Sequence, residues 1–411
     1  MTRCPNRSHP FLQSAPEHLQ AIGHLFGLGA ALPQRARVLE LGCASGGNLV
    51  PFAARYPQAH AVGVDLSWMQ IAKGRQNIER LGLTNVDLKN LNLEQIDASL
   101  GEFDYIICHG IYNWVPPTVQ AAILRICADQ ARPLKNWLMH AAGSIFYMTC
   151  RNRAAAQTRQ LAYLADATPP TLFVSNFAVK AAEPLLRECG GSQVMMEQYL
   201  DFVVNRPFRQ TLLVKQPRAS SIRYNSPLTL DAIPQACRTL QGVNLTLRTP
   251  LHKAVAMALS EHFPSIVTAQ SLAQDAGRRL DQPAEVLLPV VLSMLNDLIV
   301  AGAVRYCLSA VTVPNVVQAQ PQATALARHA ALPEESADQA VMVSNAWHDS
   351  VELTLVQRCI LPHPDGRHSH DELVACLLNA ARAGKLDFHR DGQPITQAEA
   401  LAGLRWNALS C

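Results

Sequence analysis

An acidic residue followed by a glycine-rich turn stands near position 40 of this 411-residue chain. Glu40 lies near the end of a short apolar run, and small residues follow from Gly42 to Gly46. A carboxylate at a strand end suits an amino group, and small residues let backbone N–H groups approach a ligand closely. A second carboxylate, Asp65, ends the next apolar run and is placed to accept hydrogen bonds from both ribose hydroxyls. These residues indicate a site for a nucleoside that also carries an amino group.

Three explanations compete for this segment. NAD requires the spacing G-x-G-x-x-G, which this turn lacks, and Glu40 would repel its pyrophosphate. A strand-to-helix turn with no ligand is the bland alternative. S-adenosylmethionine (AdoMet) carries both the amino group and the ribose that Glu40 and Asp65 would bind. We therefore predict AdoMet as the cofactor.

The surrounding pattern alternates apolar runs with helical segments. Strands are predicted at Arg37–Leu41, Ala61–Asp65, Val86–Leu88 and Phe103–Cys108. This alternation predicts a doubly wound, Rossmann-like α/β sheet, in which ligands bind at the carboxyl ends of the strands. The candidate residues cluster at the ends of the first, second and fourth strands.

Flanking segments are less regular. The spacing of Ser14 and Glu17 fits a capping box, so a helix is predicted to begin there and to end near Gly27 or Gly29. The segment Arg132–Met139 is a poor strand, which would weaken the sheet beside the active site. A strand at Phe208–Lys215 returns to the core.

The sequence predicts three regions. An AdoMet-binding core is expected over residues 1–135, a mostly helical regulatory region over 136–216, and a winged-helix-like domain over 217–411. Within the last, Leu251–Ser309 has the order helix, helix, helix, strand, which suits a winged helix. Val286–Val300 is predicted to be a buried core helix, and Val351–Gly384 to be helical.

The motif VLELGCASGGNL resembles the glycine motif of class I AdoMet-dependent methyltransferases, with Ala44 where the ordinary motif has glycine. The CASGGNL form and FDYIICHGIYNWVPP at Phe103–Pro117 resemble a narrower group. This group comprises bacterial methyltransferases with an attached regulatory domain, including the rickettsial protein lysine methyltransferases that act on outer-membrane protein B. Met196–Val214 and Ala380–Thr396 are similar to the same group, so the resemblance reaches nearly the whole chain in patches.

The resemblance implies a cofactor site and an acceptor site. Residues implied at the methionine and ribose end are Glu40, Gly42, Cys43, Ala44, Ser45 and Gly46. Asp65 would bind the ribose, Leu66 would pack on the adenine, and Asn92 stands where an acidic residue usually meets the adenine amino group.

After the fourth strand, His109 would contact the cofactor or deprotonate the acceptor, or else be structural. Tyr112 and Trp114 would shape a channel for an amine with their aromatic faces, or else serve as core or hinge aromatics. His109, Tyr112 and Trp114 are thus the candidate catalytic residues.

The composition argues against nucleic acid and membranes as partners. A net charge of +3 is too small to indicate a dedicated nucleic-acid binder, and no apolar run reaches the length of a membrane span. Eleven cysteines without a C-x-x-C pair indicate a reduced, cytoplasmic protein. His363, His368 and His370 are interpreted as a solvated loop, and no metal is expected.

Two classes of function follow. The first is a methyltransferase acting on lysine side chains of a protein, such as an outer-membrane or surface protein before export, with a small-molecule methyltransferase as the alternative within enzymes. The second is a non-catalytic or degenerate AdoMet-binding regulatory protein, suggested by the poor fifth strand. By analogy with the family, a homodimer is expected.

Overall fold

The computed structural model describes residues 8–25, 30–130, 137–142, 161–163, 187–188, 190, 208–215, 238–239, 249–263, 265–300, 304–308, 318–332, 341–386, 389–390 and 393–394. Its centre is a seven-stranded sheet in the order β3-β2-β1-β4-β5-β7-β6. The strands are β1 Arg37–Leu41, β2 His60–Asp65, β3 Val86–Asn90, β4 Tyr105–His109, β5 Trp137–Ala142, β6 Leu161–Tyr163 and β7 Phe208–Lys215.

Strands β1 to β5 pair in parallel, while β7 is antiparallel to both β5 and β6. The chain order therefore reverses at β1, which has β2 on one side and β4 on the other. A ligand in such a sheet binds outside the carboxyl ends of the strands at this switch point. The predicted doubly wound sheet is confirmed.

Helices cover both faces of the sheet: α1 Pro16–Leu25, α2 Leu49–Arg55, α3 Trp68–Arg80 and α4 Pro117–Gln130. Successive side chains of a strand point to opposite faces. Val38 accordingly packs in one buried cluster with residues of α2 and α3, and Leu39 packs in another with residues of α4. Glu40 is the next residue on the face of Val38, so its carboxylate enters the layer under α2.

The prediction of a poor fifth strand was wrong. Trp137–Ala142 forms β5, which pairs with β4 on one side and β7 on the other. Two neighbouring strands supply hydrogen bonds to both of its edges, so tertiary context overrides a weak local pattern. Residues 131–136 lie outside the described residues.

The predicted helix is present as α1, but it begins at Pro16 and Ser14 does not form the predicted capping box. Its hydroxyl lies 3.1 Å from the carbonyl oxygen of Phe11 and 3.3 Å from Oδ1 of Asn48. The predicted helix end at Gly27 or Gly29 falls outside the described residues.

The chain after residue 237 contains two units. The first has α5 Pro250–His262, α6 Ala269–Leu280 and α7 Ala284–Val300, with the short pair β8 Arg238–Thr239 and β9 Val304–Arg305. Leu287, Val291 and Leu295 on one face of α7 are buried, which confirms the predicted core helix. None of the described helices is long and apolar enough to cross a membrane.

The second unit has α8 Ala325–Ala330, β10 Val341–Ser344, β11 Ser350–Leu353, α9 Leu355–Ile360, α10 His370–Arg382, β12 His389–Arg390 and β13 Gln393–Pro394. The helical prediction for Val351–Gly384 is confirmed for α9 and α10, but it missed the antiparallel hairpin of β10 and β11. Leu326 of α8 packs against the buried cluster beneath α2, so this unit rests on the half of the chain that holds the seven-stranded sheet.

Candidate functional site

The turn after β1 has a left-handed backbone at alternate positions. Gly42, Ala44 and Gly46 have φ of +76°, +48° and +78°. The N–H groups of Gly42 and Cys43 both donate to the carbonyl oxygen of Val64, at 2.8 and 3.1 Å. These hydrogen bonds hold the turn against the end of β2, so its small residues lie at the carboxyl edge of the sheet. A ligand bound at this edge would contact the backbone of the turn.

Asp65 ends β2 and holds the neighbouring loops. Its Oδ2 accepts the N–H of Ala44 at 2.9 Å, and its Oδ1 accepts the N–H of Ser67 at 2.8 Å. Asn90 donates its amide to the carbonyl oxygens of Asp65 and Leu66, at 3.0 and 2.9 Å. A carboxylate oxygen has two acceptor positions, so both oxygens of Asp65 retain capacity for ribose hydroxyls.

Glu40 is buried, and only one of its carboxyl oxygens has a partner. Asn48 donates its amide to Oε1 at 3.3 Å, whereas Oε2 has no hydrogen-bond partner among the described residues. Burial raises the pKa of Glu40 to about 8; the bond from Asn48 lowers it, and the charge of Asp65 raises it. An unpartnered buried oxygen is costly unless a ligand satisfies it. The amino group of AdoMet has the donor and the positive charge for this oxygen, so the residues present fit the cofactor.

Asn48 contacts Glu40 in the candidate site, and the sequence analysis did not single it out. It caps the start of α2 by position, yet its side chain makes no capping hydrogen bond. Its Oδ1 instead lies near three groups, accepting the N–H of Phe11 at 3.2 Å and lying 3.3 Å from the hydroxyl of Ser14 and 2.7 Å from Nε2 of His348. An asparagine at this position signals a helix cap, which concealed its role beside Glu40.

The segment before α1 lies over the glycine-rich turn. Gly47 donates its N–H to the hydroxyl of Ser8 at 2.7 Å, and a Cβ at Gly47 would overlap the backbone carbonyl of Ser8. The ring of Phe11 lies 3.8 Å from that of His109, centroid to centroid. Ser8 and Phe11 have no recognisable motif around them, so only the folded chain reveals that they border the site.

Two predicted adenine contacts lie at the ends of β2 and β3. Leu66 is 73% exposed, so its apolar side chain is available to pack against a planar base. Asn92 begins the 3-10 turn Leu93–Gln95, and its Oδ1 accepts the N–H of Glu94 at 3.1 Å. An amide oxygen has a second acceptor position, so Asn92 keeps the capacity to accept from an adenine amino group.

The candidate catalytic residues occupy different environments. His109 ends β4 at the switch point, and Tyr112 and Trp114 share the 3-10 turn that follows. Tyr112 is only 3% exposed and packs with the core under α4, whereas Trp114 is 78% exposed. Of the two aromatics, Trp114 therefore has the surface that an acceptor chain would contact.

The cysteines beside the site are buried thiols. Burial raises the pKa of both Cys43 and Cys108, so neither has the exposed thiolate of a nucleophile.

In the C-terminal unit, His368 Nδ1 lies 2.9 Å from Oδ1 of Asp365, and His370 Nε2 lies 2.9 Å from the carbonyl oxygen of Gln318.

Comparison with known proteins identifies the domains of the chain. Three family models match in succession: a methyltransferase domain over residues 38–133, a predicted methyltransferase regulatory domain over 141–215, and the PKMT C-terminal winged helix domain over 319–408. The chain is an AdoMet-dependent methyltransferase that carries a regulatory domain and a winged helix domain. Its winged helix is of the PKMT type. The unit at Leu251–Ser309 has the predicted order of helix, helix, helix and strand, and the family model places a winged helix in the unit after it, over residues 319–408.

The whole chain has relatives in Rickettsia. The uncharacterised protein RP789 of Rickettsia prowazekii is 25% identical over 97% of this chain and 89% of its own length. The alignment runs over 501 positions, more than the 411 residues of this chain, so RP789 has stretches without a counterpart here. The uncharacterised protein RP028 of the same organism is 44% identical over 30% of this chain and 49% of its own length.

A solved structure shares the fold. PKMT2 from Rickettsia typhi in complex with AdoHcy superposes with a TM-score of 0.83 at 22% identity, over 97% of this chain and 96% of that one. The shared fold includes both the sheet and the C-terminal units.

Proposed function

We propose that this methyltransferase N-methylates lysine side chains of a protein acceptor. The observation that carries the proposal is the PKMT-type winged helix over residues 319–408, joined to the AdoMet-binding half by the contact of His348 with Asn48. The resemblance to rickettsial protein lysine methyltransferases and the likeness to PKMT2 support the same acceptor class. An outer-membrane or surface protein before export, met in the cytoplasm, is the acceptor we propose to test first.

In this proposal, two carboxylates hold the cofactor. Oε2 of Glu40 binds the amino group and Asp65 binds the ribose hydroxyls, while Leu66 and Asn92 meet the adenine. When bound, AdoMet supplies an activated methyl group on a sulfonium centre. Glu40 and Asp65 thereby set where that group stands relative to the end of β4.

The acceptor side is formed by the end of β4 and the turn after it. Trp114 contacts the acceptor chain, since an exposed aromatic face suits a lysine side chain and its positive charge. A ring nitrogen of His109 takes the proton from the acceptor ammonium, so that a neutral amine reacts. The remaining contribution of the chain is alignment of the amine and exclusion of water around it.

The test is methyl transfer from isotopically labelled AdoMet to an array of bacterial surface proteins and, in parallel, to small carboxylic acids and amines. We expect label on lysine Nε of peptides, located by fragment mass spectrometry. The Asp65→Ala variant, shown to be folded, is the control and should transfer no label. Label on small molecules alone would support a small-molecule methyltransferase, and binding of AdoMet without any transfer would support a regulatory protein.

A further inference from the structure

A hydrogen bond joins the β10–β11 hairpin of the winged helix region to the start of helix α2, just after the glycine-rich turn. Nε2 of His348 lies 2.7 Å from Oδ1 of Asn48, although 300 residues separate them in the chain. Both side chains are buried, with 4% of each residue exposed. Asn48 in turn donates to Oε1 of Glu40 at 3.3 Å. A continuous chain of contacts therefore runs from the β10–β11 hairpin to the carboxylate with the unpartnered oxygen.

The hairpin turn presents the imidazole by a defined local structure. Asn345 accepts the N–H groups of Trp347 and Asp349 through its Oδ1, at 2.8 and 2.9 Å, and its amide donates to the carboxylate of Asp349 at 3.1 Å. His348 has φ of +60°, in the left-handed region that few residues other than glycine adopt. Such a conformation in a non-glycine residue persists only where the surrounding structure determines it.

The partners of Asn48 decide how its amide is oriented. Oδ1 faces the N–H of Phe11 at 3.2 Å, while the NH₂ group faces the carboxylate of Glu40. The opposite orientation would place the NH₂ group against that N–H and the amide oxygen against a carboxylate oxygen. His348 must therefore carry a hydrogen on Nε2 and donate it.

The surroundings keep that imidazole neutral. Burial is the main cause and lowers the pKa of His348 to about 4; the charge of Arg55 lowers it further, whereas Glu17 and Asp349 raise it. Glu17 and Arg55 neutralise each other in part through an ion pair of 3.2 Å. A neutral ring donates one hydrogen bond here without placing a positive charge beside the carboxylate that is to bind an amino group.

We propose that His348 is a positioning residue for cofactor binding. By donating to Oδ1 of Asn48, it holds the amide so that the NH₂ group occupies Oε1 of Glu40 and leaves Oε2 for the amino group of the cofactor. This inference rests on the proposed role of Glu40 in the cofactor site. It makes the winged helix region part of that site. The packing of this region against the domain that holds Glu40 and the affinity for the cofactor therefore depend on each other.

Two variants separate positioning from simple interface stability. Asparagine at position 348 accepts the left-handed backbone but is too short to reach Asn48, whereas glutamine places its amide nitrogen close to where Nε2 lies. His348→Asn therefore removes the contact in a tolerated turn, and His348→Gln restores it. Thermal unfolding confirms that each variant is folded before binding is compared.

Two ligands then report where the contact acts. S-adenosylhomocysteine carries the amino group, and 5′-methylthioadenosine lacks the whole amino-acid part. We expect His348→Asn to weaken S-adenosylhomocysteine binding by about tenfold and 5′-methylthioadenosine by less than about twofold, with His348→Gln close to the unmodified protein for both. Equal losses for the two ligands, or no loss for either, would overturn the inference.

The role of Glu40 is measured separately with Glu40→Gln, which should weaken S-adenosylhomocysteine selectively. If Glu40→Gln has this effect and His348→Asn does not, the positioning role alone fails. If Glu40→Gln has no effect, or the unmodified protein binds neither ligand, the proposed cofactor site fails and the positioning role falls with it.

Discussion

The backbone N–H of Ala44 donates to Oδ2 of Asp65 over 2.9 Å, which ties the turn after β1 to the end of β2. The turn and the proposed ribose-binding carboxylate are therefore held at one spacing by the protein itself. Ala44 makes this contact from the left-handed backbone region, with φ of +48°, where an alanine is strained.

Replacing Ala44 by glycine should relieve this strain. We expect Ala44→Gly to raise the free energy of unfolding by about 1 kcal/mol, since glycine adopts positive φ without a steric cost. Affinity for AdoMet should be unchanged within about twofold. Urea denaturation measures the first and calorimetric titration the second. The matched control is Ala121→Gly on the exposed face of helix α4, which should lose about 1 kcal/mol; a loss at both positions would contradict the assigned strain.

Cofactor affinity should depend on pH through Glu40. Its pKa is raised to about 8, so the anion that binds an amino group accumulates only as the pH rises towards that value. We expect S-adenosylhomocysteine affinity to increase about tenfold from about pH 6 to about pH 7 and to level off near pH 8, where an amino group begins to lose its proton. Titrations in Glu40→Gln should be weaker and nearly independent of pH.

In the absence of ligand, the rise in pH that ionises Glu40 and favours cofactor binding should lower the stability of the folded protein. A raised pKa favours the protonated form in the folded state, so its contribution is complete below the ordinary value of 4.5 and is lost as the pH rises through about 8. Glu40→Gln should remove this decline, as thermal unfolding across that range will show. Parallel curves for the two proteins would mean that Glu40 titrates normally.

Acid should loosen the contact made by His348. Its pKa is lowered from 6.5 to about 4, so its contribution to stability is complete above 6.5 and is lost as the pH falls through 4, because unfolding then lets the imidazole take up a proton. The difference in unfolding free energy between the unmodified protein and His348→Gln should therefore shrink or reverse on acidification. A difference that stays constant from pH 7 to pH 4 would contradict this.

The segment before α1 should be sensitive to the size of residue 47. An added methyl group in Gly47→Ala would overlap the carbonyl of Ser8 and displace the chain that leads to Phe11. We expect faster limited proteolysis before α1 and weaker cofactor binding. Ser8→Ala, which removes only the 2.7 Å hydrogen bond to Gly47, should have a smaller effect of the same kind. An equal or larger effect of Ser8→Ala would show that overlap is not the cause.

Trp114 should act on the acceptor and not on the cofactor. Because its side chain is exposed, Trp114→Ala should leave stability within about 0.5 kcal/mol and cofactor affinity unchanged. The KM for a protein acceptor should rise by up to about tenfold, from loss of an aromatic contact to a cation. Trp68→Ala, at an exposed position on helix α3, is the matched control and should change neither quantity. Weaker cofactor binding by Trp114→Ala would mean that this residue contacts the cofactor and not the acceptor.

The amino-acid sequence by itself determined the local parts of the site. Glu40, the turn from Gly42 to Gly46, and Asp65 lie where strand patterns and turn residues predict, because each depends on neighbours within a few positions. The alternation of strands and helices was sufficient for the doubly wound sheet, whose connections obey general topological rules.

Only the tertiary structure decided which distant residues lie against that candidate site. Ser8, Phe11 and His348 reach it from other parts of the chain, and a residue's long-range partner leaves no periodic or local signal. Strand β5 forms because its neighbours complete its hydrogen bonds, although its own pattern is weak. Tyr112 and Trp114 are two positions apart in one aromatic motif, yet packing buries the first and exposes the second, because burial is set by what folds against each side chain.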